Sequence, residues 1–341
     1  SGTTGRPKGI RRPLTGLSVD DPAAPRTSRL TKALMGAGPD SIYLMPAPLY
    51  HAAALQYSVG TQELGGTVVV MEKFDAERFL RLVEEHRVTH TQVVPTMMVR
   101  MLKLPEEIRL KHDISSLQSF LHAAAPCPPE IKRRTIEWLG PVVDEYYGAT
   151  ESNGMTFINS EQWLAHPGSV GKPVLGTIHI CGEDGEELPV GEVGTIYFER
   201  DKTPFTYHND AEKTRSAWHP EHPTWSAVGD LGRLDEDGFL YLSDRRSFLI
   251  ISGGVNIYPA EIESCLITHP DVDDVVVFGL PDEEMGEYVH AVVQPAEPSK
   301  AGPDLEDLLR DHVREHLAGF KVPRVIAFGE VPRLATGKVS V

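Results

Sequence analysis

The feature that most limits how this chain can fold is an alternation of short β-rich runs with longer helical patterns, from Asp40 to Tyr147. Ser41–Met45 and Thr67–Met71 read as buried strands. Asp75–His86 reads as a helix that begins on an Asp and sets Phe79, Leu82 and Val83 on one face. Thr91–Val94, Pro95–Leu104, Phe120–Ala123, Pro128–Leu139 and Val142–Tyr147 continue the same alternation. A strand–helix–strand order of this kind predicts an α/β domain built on a largely parallel sheet.

The pattern changes after Gly168. Asp184-Gly185 separates Ile178–Cys181 from Glu187–Val190, and Asp237-Gly238 precedes Phe239–Leu242. Both dipeptides suit tight turns, so Gly168–Leu242 should be mainly antiparallel. Beyond Asp244 a small α+β unit follows, with a strand near Ile250, a helix over Pro259–His269 and strands at Val275–Phe278 and Val289–Val293. A helix over Leu305–Leu317 and a strand near Val325 complete it. Pro259 at a helix start, with Glu261 and Glu263 in the first turns, gives the usual N-terminal signals. The expected division is therefore a large domain over 1–244 and a small one over 245–341. A length of 341 residues is ample for two such cores.

The net charge of −16 disfavours a surface for nucleic acid or anionic lipid, both of which need clustered Lys and Arg. It leaves room for a single anionic ligand, because a few basic side chains and oriented backbone N–H groups suffice locally. Cys127, Cys181 and Cys265 have no paired spacing and no metal-site pattern of His neighbours, so free thiols and a cytoplasmic location are expected. No apolar run approaches membrane-spanning length, and no signal peptide is visible. The chain opens on Ser inside a Gly-rich motif, which suggests that an upstream part is missing.

Six segments carry candidate chemistry. Ser1-Gly2-Thr3-Thr4-Gly5-Arg6-Pro7-Lys8-Gly9 combines glycines, hydroxyls and a cation. Glycines let the backbone approach a polyphosphate, hydroxyls donate to its oxygens, and Lys8 adds charge; a flexible Gly/Thr turn has the same composition. The Gly-Lys-Ser/Thr ending of a Walker A loop is absent. Tyr147-Gly148-Ala149-Thr150-Glu151 follows an expected strand, where Thr150 can meet a phosphate and Glu151 can hold Mg²⁺, or both can line a solvated turn. Asp230 has the chemistry to accept from two ribose hydroxyls or to cap a local turn, and Arg245 to pair with ribose, phosphate or a neighbouring Asp. Ser252-Gly253-Gly254-Val255-Asn256 is a second Gly-rich loop, and Thr336-Gly337-Lys338 presents a lysine near the chain end.

Taken in order over the whole chain, these segments resemble the adenylate-forming superfamily of acyl- and aryl-CoA synthetases, luciferases and peptide-synthetase adenylation domains. The resemblance implies activation of a carboxylic acid by ATP with Mg²⁺, followed by transfer of the acyl group to coenzyme A. It implies that Ser1, Gly2, Thr3, Thr4, Gly5 and Lys8 form the phosphate loop, and that Pro48-Leu49-Tyr50-His51 lies beside the acyl pocket with His51 in a catalytic role. Ala123-Ala124-Ala125-Pro126 and Glu145-Tyr146-Tyr147, with Gly148, should bracket the adenine. Thr150 and Glu151 should meet phosphate and Mg²⁺, and Asp230 and Arg245 the ribose. Lys338 should bridge the carboxylate and the AMP moiety, and Gly253 and Gly254 should line the channel for the pantetheine thiol.

One position departs from that pattern. Two residues past Arg245 the superfamily usually carries a hinge Asp or Lys, and this chain has Ser247. Amino-acid-activating relatives place an Asp near the Tyr-His segment, whereas Tyr50-His51-Ala52-Ala53-Ala54 supplies no carboxylate and leaves room for apolar bulk. Ile250–Pro259 is similar to bacterial fatty-acyl-CoA synthetases, some of which take sterol-type acids. The alternatives are a fatty acyl-AMP ligase serving a carrier protein and, from another class, a non-catalytic nucleotide-binding module. A homodimer is compatible with the sequence.

Overall fold

The computed structural model describes residues 9–18, 21, 23–24, 26–202, 204–245 and 248–331, with only the backbone of Arg245. Strand β1 (Ile10–Arg11) pairs antiparallel with β11 (Thr206–Tyr207). The principal sheet holds β2 (Ile42–Met45), β3 (Thr67–Val70), β4 (His90–Val93), β5 (Ser119–His122), β6 (Val143–Gly148), β7 (Met155–Ile158) and β8 (Lys172–Leu175). Its spatial order is β3-β2-β4-β5-β6-β7-β8. The first five strands in that order are mutually parallel, as the alternation predicts, and β7 and β8 add an antiparallel edge. Thr67–Met71 differs from the expectation of burial: β3 is an edge strand, and Val70 is largely exposed.

Helices α1 (Thr27–Met35), α2 (Ala52–Glu63), α3 (Ala76–His86), α4 (Pro95–Leu102), α5 (Glu106–Arg109) and α6 (Pro129–Leu139) flank these strands. Asp75 caps α3 by accepting from the Arg78 N–H at 2.8 Å. Helix α2 has no apolar stripe for a sequence reading to find, because its buried face includes Ser58, Gly60 and Thr61. Gly60 is there for close packing: a Cβ would sit 2.0 Å from the Thr31 hydroxyl of α1. Helix α7 (Ser160–Ala165) opens with a capping box between Asn159 and Gln162.

The second sheet, ordered β13-β12-β10-β9, is antiparallel throughout: β9 (Thr177–Cys181), β10 (Gly194–Glu199), β12 (Trp225–Leu234) and β13 (Leu240–Arg245). Asp235 Oδ1 accepts from the N–H groups of Asp237 and Phe239 and so shapes the Asp237-Gly238 turn between β12 and β13. Glu187–Val190 does not form the expected strand. It makes a single bridge, Cys181 to Glu187, before turning away at Pro189. Helix α8 (Ala211–Ser216) follows β11.

The third sheet runs β15-β14-β17-β16, with β18 (Val325–Phe328) parallel to β17 (Gly286–Pro295). Its other strands are β14 (Ile250–Ser252), β15 (Val255–Ile257) and β16 (Val272–Asp282), covered by α9 (Pro259–Leu266) and α10 (Pro303–His316). One apolar cluster joins Leu44 and Phe120 of the principal sheet and Phe79 of α3 to Ile262, Val293 and Leu309. The ammonium of Lys103, past α4, donates to the Val272 carbonyl. No helix among the described residues is long and apolar enough to cross a membrane.

Candidate active site

Parallel strands share a direction, so the segments that leave the carboxyl ends of β2, β4, β5 and β6 emerge along one edge of the sheet. Three of those segments are motifs singled out above: Pro48–His51 after β2, Ala123–Pro126 after β5, and Gly148–Glu151 at the end of β6. The strand order also reverses between β2 and β4, because the chain runs from β2 to β3 on one side and then crosses to the other. Such a reversal opens a crevice at the carboxyl edge. Tyr50-His51 and Val94 flank it in the chain.

Two of the four non-glycine residues in the left-handed region among the described residues follow strands of this edge: Ala124 (φ 78°), two residues past β5, and Ser152 (φ 54°), four past β6. Ala124, Ala125 and Pro126 are exposed, as a surface that receives a ligand must be. His51 sits at the N-cap of α2, and its ring stacks on the exposed Tyr50 with centroids 5.6 Å apart.

Glu145 is turned the other way. Its carboxylate lies in the interior, 2.6 Å from the Lys132 ammonium and 3.5 Å from His122 Nε2. Burial pushes the Glu145 carboxyl up while Lys132 pulls it back, and burial together with Lys132 holds His122 far below its usual range. Tyr146 packs edge-on against Tyr57 of α2, with centroids 6.1 Å apart. Of this triplet, Tyr147 reaches across to the second sheet: its hydroxyl donates to Asp230 Oδ2 at 2.6 Å. Asp230 is itself buried on β12 and stands opposite Arg245 in the β12–β13 register.

Glu151 is held by residues that the sequence reading did not single out. It is buried, and its Oε1 accepts from the Tyr207 hydroxyl at 3.0 Å. Tyr207 lies on β11, whose partner β1 begins one residue after Gly9, and the Gly9 carbonyl accepts from the His208 N–H at 2.7 Å. Arg12 donates to the Thr150 carbonyl at 2.8 Å. The two-strand ribbon β1–β11 therefore ties the end of the first Gly-rich segment to Thr150 and Glu151, across nearly 140 residues of chain. No local periodicity marks a two-residue strand, so only a pairing signal between Ile10–Arg11 and Thr206–Tyr207 would have revealed it. Among the described residues no Lys, Arg or His makes an ion pair with Glu151, so this buried carboxylate has the chemistry of a hard-cation ligand.

Gly253 and Gly254 form the two-residue turn of the β14–β15 hairpin, at φ 57° and 78°, as a type I′ turn requires. The Gly253 N–H donates to the Met285 carbonyl at 2.8 Å, and a Cβ there would meet the Met285 methyl at 2.5 Å. Asp244, at the end of β13, accepts from the Ala260 N–H in the first turn of α9. Ser1, Gly2, Thr3, Thr4, Gly5, Lys8, Ser247 and Lys338 lie outside the described residues, as does the side chain of Arg245.

Asp144, beside Glu145 but on the opposite face of β6, gives a pH-dependent prediction. Burial pushes its carboxyl up to about 7, against partial opposition from Lys132 and a backbone N–H of Ser160. A folded pKa above the unfolded one means that the unfolded chain releases this proton first, so stability falls as pH rises from about 4 to about 7. The full cost, up to about 4 kcal/mol, is present above that window. Asp144→Asn should therefore gain more stability at pH 8 than at pH 4.5 in urea unfolding. Equal gains at both pH values would show that Asp144 does not set the slope.

The sequence model described as AMP-binding enzyme matches residues 1–207, and that of the AMP-binding enzyme C-terminal domain matches residues 261–338. The long-chain-fatty-acid–CoA ligase FadD13 of Mycobacterium tuberculosis is 35% identical over 99% of this chain, which spans 64% of that protein. Among solved structures, o-succinylbenzoate CoA synthetase from Bacillus subtilis, in complex with its acyl-adenylate intermediate, superposes with a TM-score of 0.79. It is 32% identical, over 100% of this chain and 66% of that one. The amide bond synthetase McbA from Marinactinospora thermotolerans gives a TM-score of 0.78 at 30% identity, over 92% of this chain and 63% of that one.

Proposed function

Because the chain belongs to the AMP-binding enzyme family, we propose that it carries most of the catalytic apparatus of an ATP-dependent acyl-CoA synthetase. The observation that carries this reading is the convergence at one sheet edge of Gly9, Thr150, Glu151 and, through Tyr147, Asp230. Relatives named as fatty-acid, feruloyl and succinylbenzoate CoA ligases support the acid–thiol class. A fatty or bulky apolar acid suits the small apolar side chains at the start of α2, where Ala53 and Ala54 pack in one apolar cluster with Tyr57. The division at 244/245 suits it too, since the C-terminal family match begins shortly after.

In the first step a carboxylate oxygen attacks the α-phosphorus of ATP, the bond to the β-phosphate bridging oxygen breaks, and pyrophosphate leaves. Both reactants are anions, so the site must offset charge as the new bond forms. Lys8 and Lys338 supply positive charge to the phosphates and to the attacking carboxylate. Glu151 would hold Mg²⁺, which when bound neutralises phosphate charge. Asp230 accepts from the ribose hydroxyls, and Tyr147 keeps Asp230 in place by donating to Oδ2. The adenine lies against Ala124–Pro126 and the Tyr146–Gly148 backbone, while the Glu145 side chain is turned into the core against Lys132. In the second step the CoA thiolate attacks the acyl carbonyl carbon and AMP leaves with the bonding electrons. Gly253 and Gly254 give the thiol its path, and rotation about Arg245–Ser247 exchanges that turn for Lys338.

The test is acid-dependent ATP–pyrophosphate exchange by the full-length protein, with AMP release measured with and without CoA over a carboxylic-acid panel. Exchange with at least one acid, and AMP release that rises on adding CoA, is the expected result. Exchange that stalls at acyl-AMP with CoA present would favour transfer to a carrier protein. Absence of exchange with every acid would leave a nucleotide-binding module.

A further inference from the structure

The small third sheet carries a cluster that the adenylation chemistry does not use. Cys265 near the end of α9, and His312 and His316 one turn apart on α10, each present a donor atom within 4.8 Å of the other two. Cys265 and His312 are half-buried and His316 is exposed, so the group opens to solvent on one side.

The hydrogen bonds prepare both imidazoles as ligands. His316 Nδ1 lies 2.8 Å from the His312 carbonyl, to which it can only donate, and this leaves Nε2 with its lone pair. His312 Nε2 lies 3.1 Å from the Cys265 carbonyl and 3.2 Å from Thr268 Oγ1. The Thr268 hydroxyl donates to that same carbonyl at 2.6 Å, so Nε2 must carry the proton and Nδ1 the lone pair. Imidazoles that bind metals characteristically have their second nitrogen tied to a carbonyl in this way, which fixes tautomer and ring orientation.

We propose that Cys265, His312 and His316 form a binding site for a borderline-soft divalent cation of the zinc type, which cross-links α9 to α10. One thiolate and two imidazoles suit zinc and exclude Mg²⁺, which takes oxygen ligands. Ligand atoms around tetrahedral zinc stand about 3.5 Å apart, given bonds of about 2.0–2.3 Å. Donor atoms that now lie within 4.8 Å of one another must therefore draw together as the ion binds. Three protein ligands leave the fourth position to water, as the open side of the cluster allows. A thiol ligates zinc as its thiolate, so at neutral pH the ion must displace the thiol proton, and each ion bound releases one.

The experiment uses the untagged full-length protein, titrated with Co²⁺ as a spectroscopic stand-in and then with Zn²⁺. A thiolate-to-cobalt charge-transfer band should saturate at one equivalent, with one proton released per ion, and Zn²⁺ should bleach it. Zn²⁺ should raise the Tm of the parent more than that of Cys265→Ser. Cys265→Ser should abolish the band. His316→Ala, at an exposed position that leaves the fold intact, should weaken Co²⁺ affinity at least tenfold. No band at one equivalent in the parent, or a band that survives Cys265→Ser, would overturn the proposal.

Discussion

Lys132→Met should cost about 3–5 kcal/mol of folding stability at pH 7. The ammonium is wholly buried, 2.6 Å from Glu145 Oε2 and 5.1 Å from the centre of the Trp163 ring. Methionine keeps an unbranched side chain of similar length and removes the charge, so the loss reports chiefly the stranded Glu145 carboxylate, with a smaller part from the ammonium's contact with the Trp163 ring. Glu145 would then protonate more readily, and because a raised carboxyl pKa costs stability as pH rises, the deficit should shrink towards pH 5. Adding Glu145→Gln should recover much of the loss, since two removed charges leave nothing unpaired. Urea unfolding of both variants at pH 5 and 8 is the check. A Lys132→Met deficit below about 1 kcal/mol would mean that the pair is not a structural determinant. The pair bears on the site because Glu145 belongs to β6, the strand that delivers Tyr147, Thr150 and Glu151 to the sheet edge.

Glu151→Gln should lower ATP–pyrophosphate exchange by about 10²–10³-fold while leaving Tm within a degree or two of the parent. The two readouts separate because glutamine can still accept from the Tyr207 hydroxyl, now 3.0 Å from Oε1, yet carries no charge for a cation. Raising the Mg²⁺ concentration should restore part of the rate if the lost group is a metal ligand. Exchange at the parent's rate would remove Glu151 from the proposed chemistry. A large fall in Tm would instead assign it to holding β11 in place.

The expected strands and helices of the α/β region lie within a few residues of those observed, because each carries its own periodicity. Asp75 and Pro259 mark helix starts that a local reading can find. Elements whose burial depends on a distant partner were not legible. Helix α2 buries Gly60 and Thr61 against α1, and β7 and β8 extend an otherwise parallel sheet with no alternation strong enough to announce them. Glu187–Val190 has a turn signal and apolar residues, yet the ladder ends after one bridge. The chemistry divides in the same way. The motif residues could be named from a family resemblance carried by their types and order, which implies a carboxylate for a cation, an acid for ribose hydroxyls and glycines for a close approach. Their supports could not, because Tyr207 for Glu151, Arg12 for Thr150 and Lys132 for Glu145 are contacts between segments far apart in the chain or on separate elements. The reactive groups and the alternation that sets them at strand ends are local properties, written into neighbouring residues. Which way each group points, and what holds it there, follows from long-range pairing such as β1 with β11, which exists only once the chain has closed on itself.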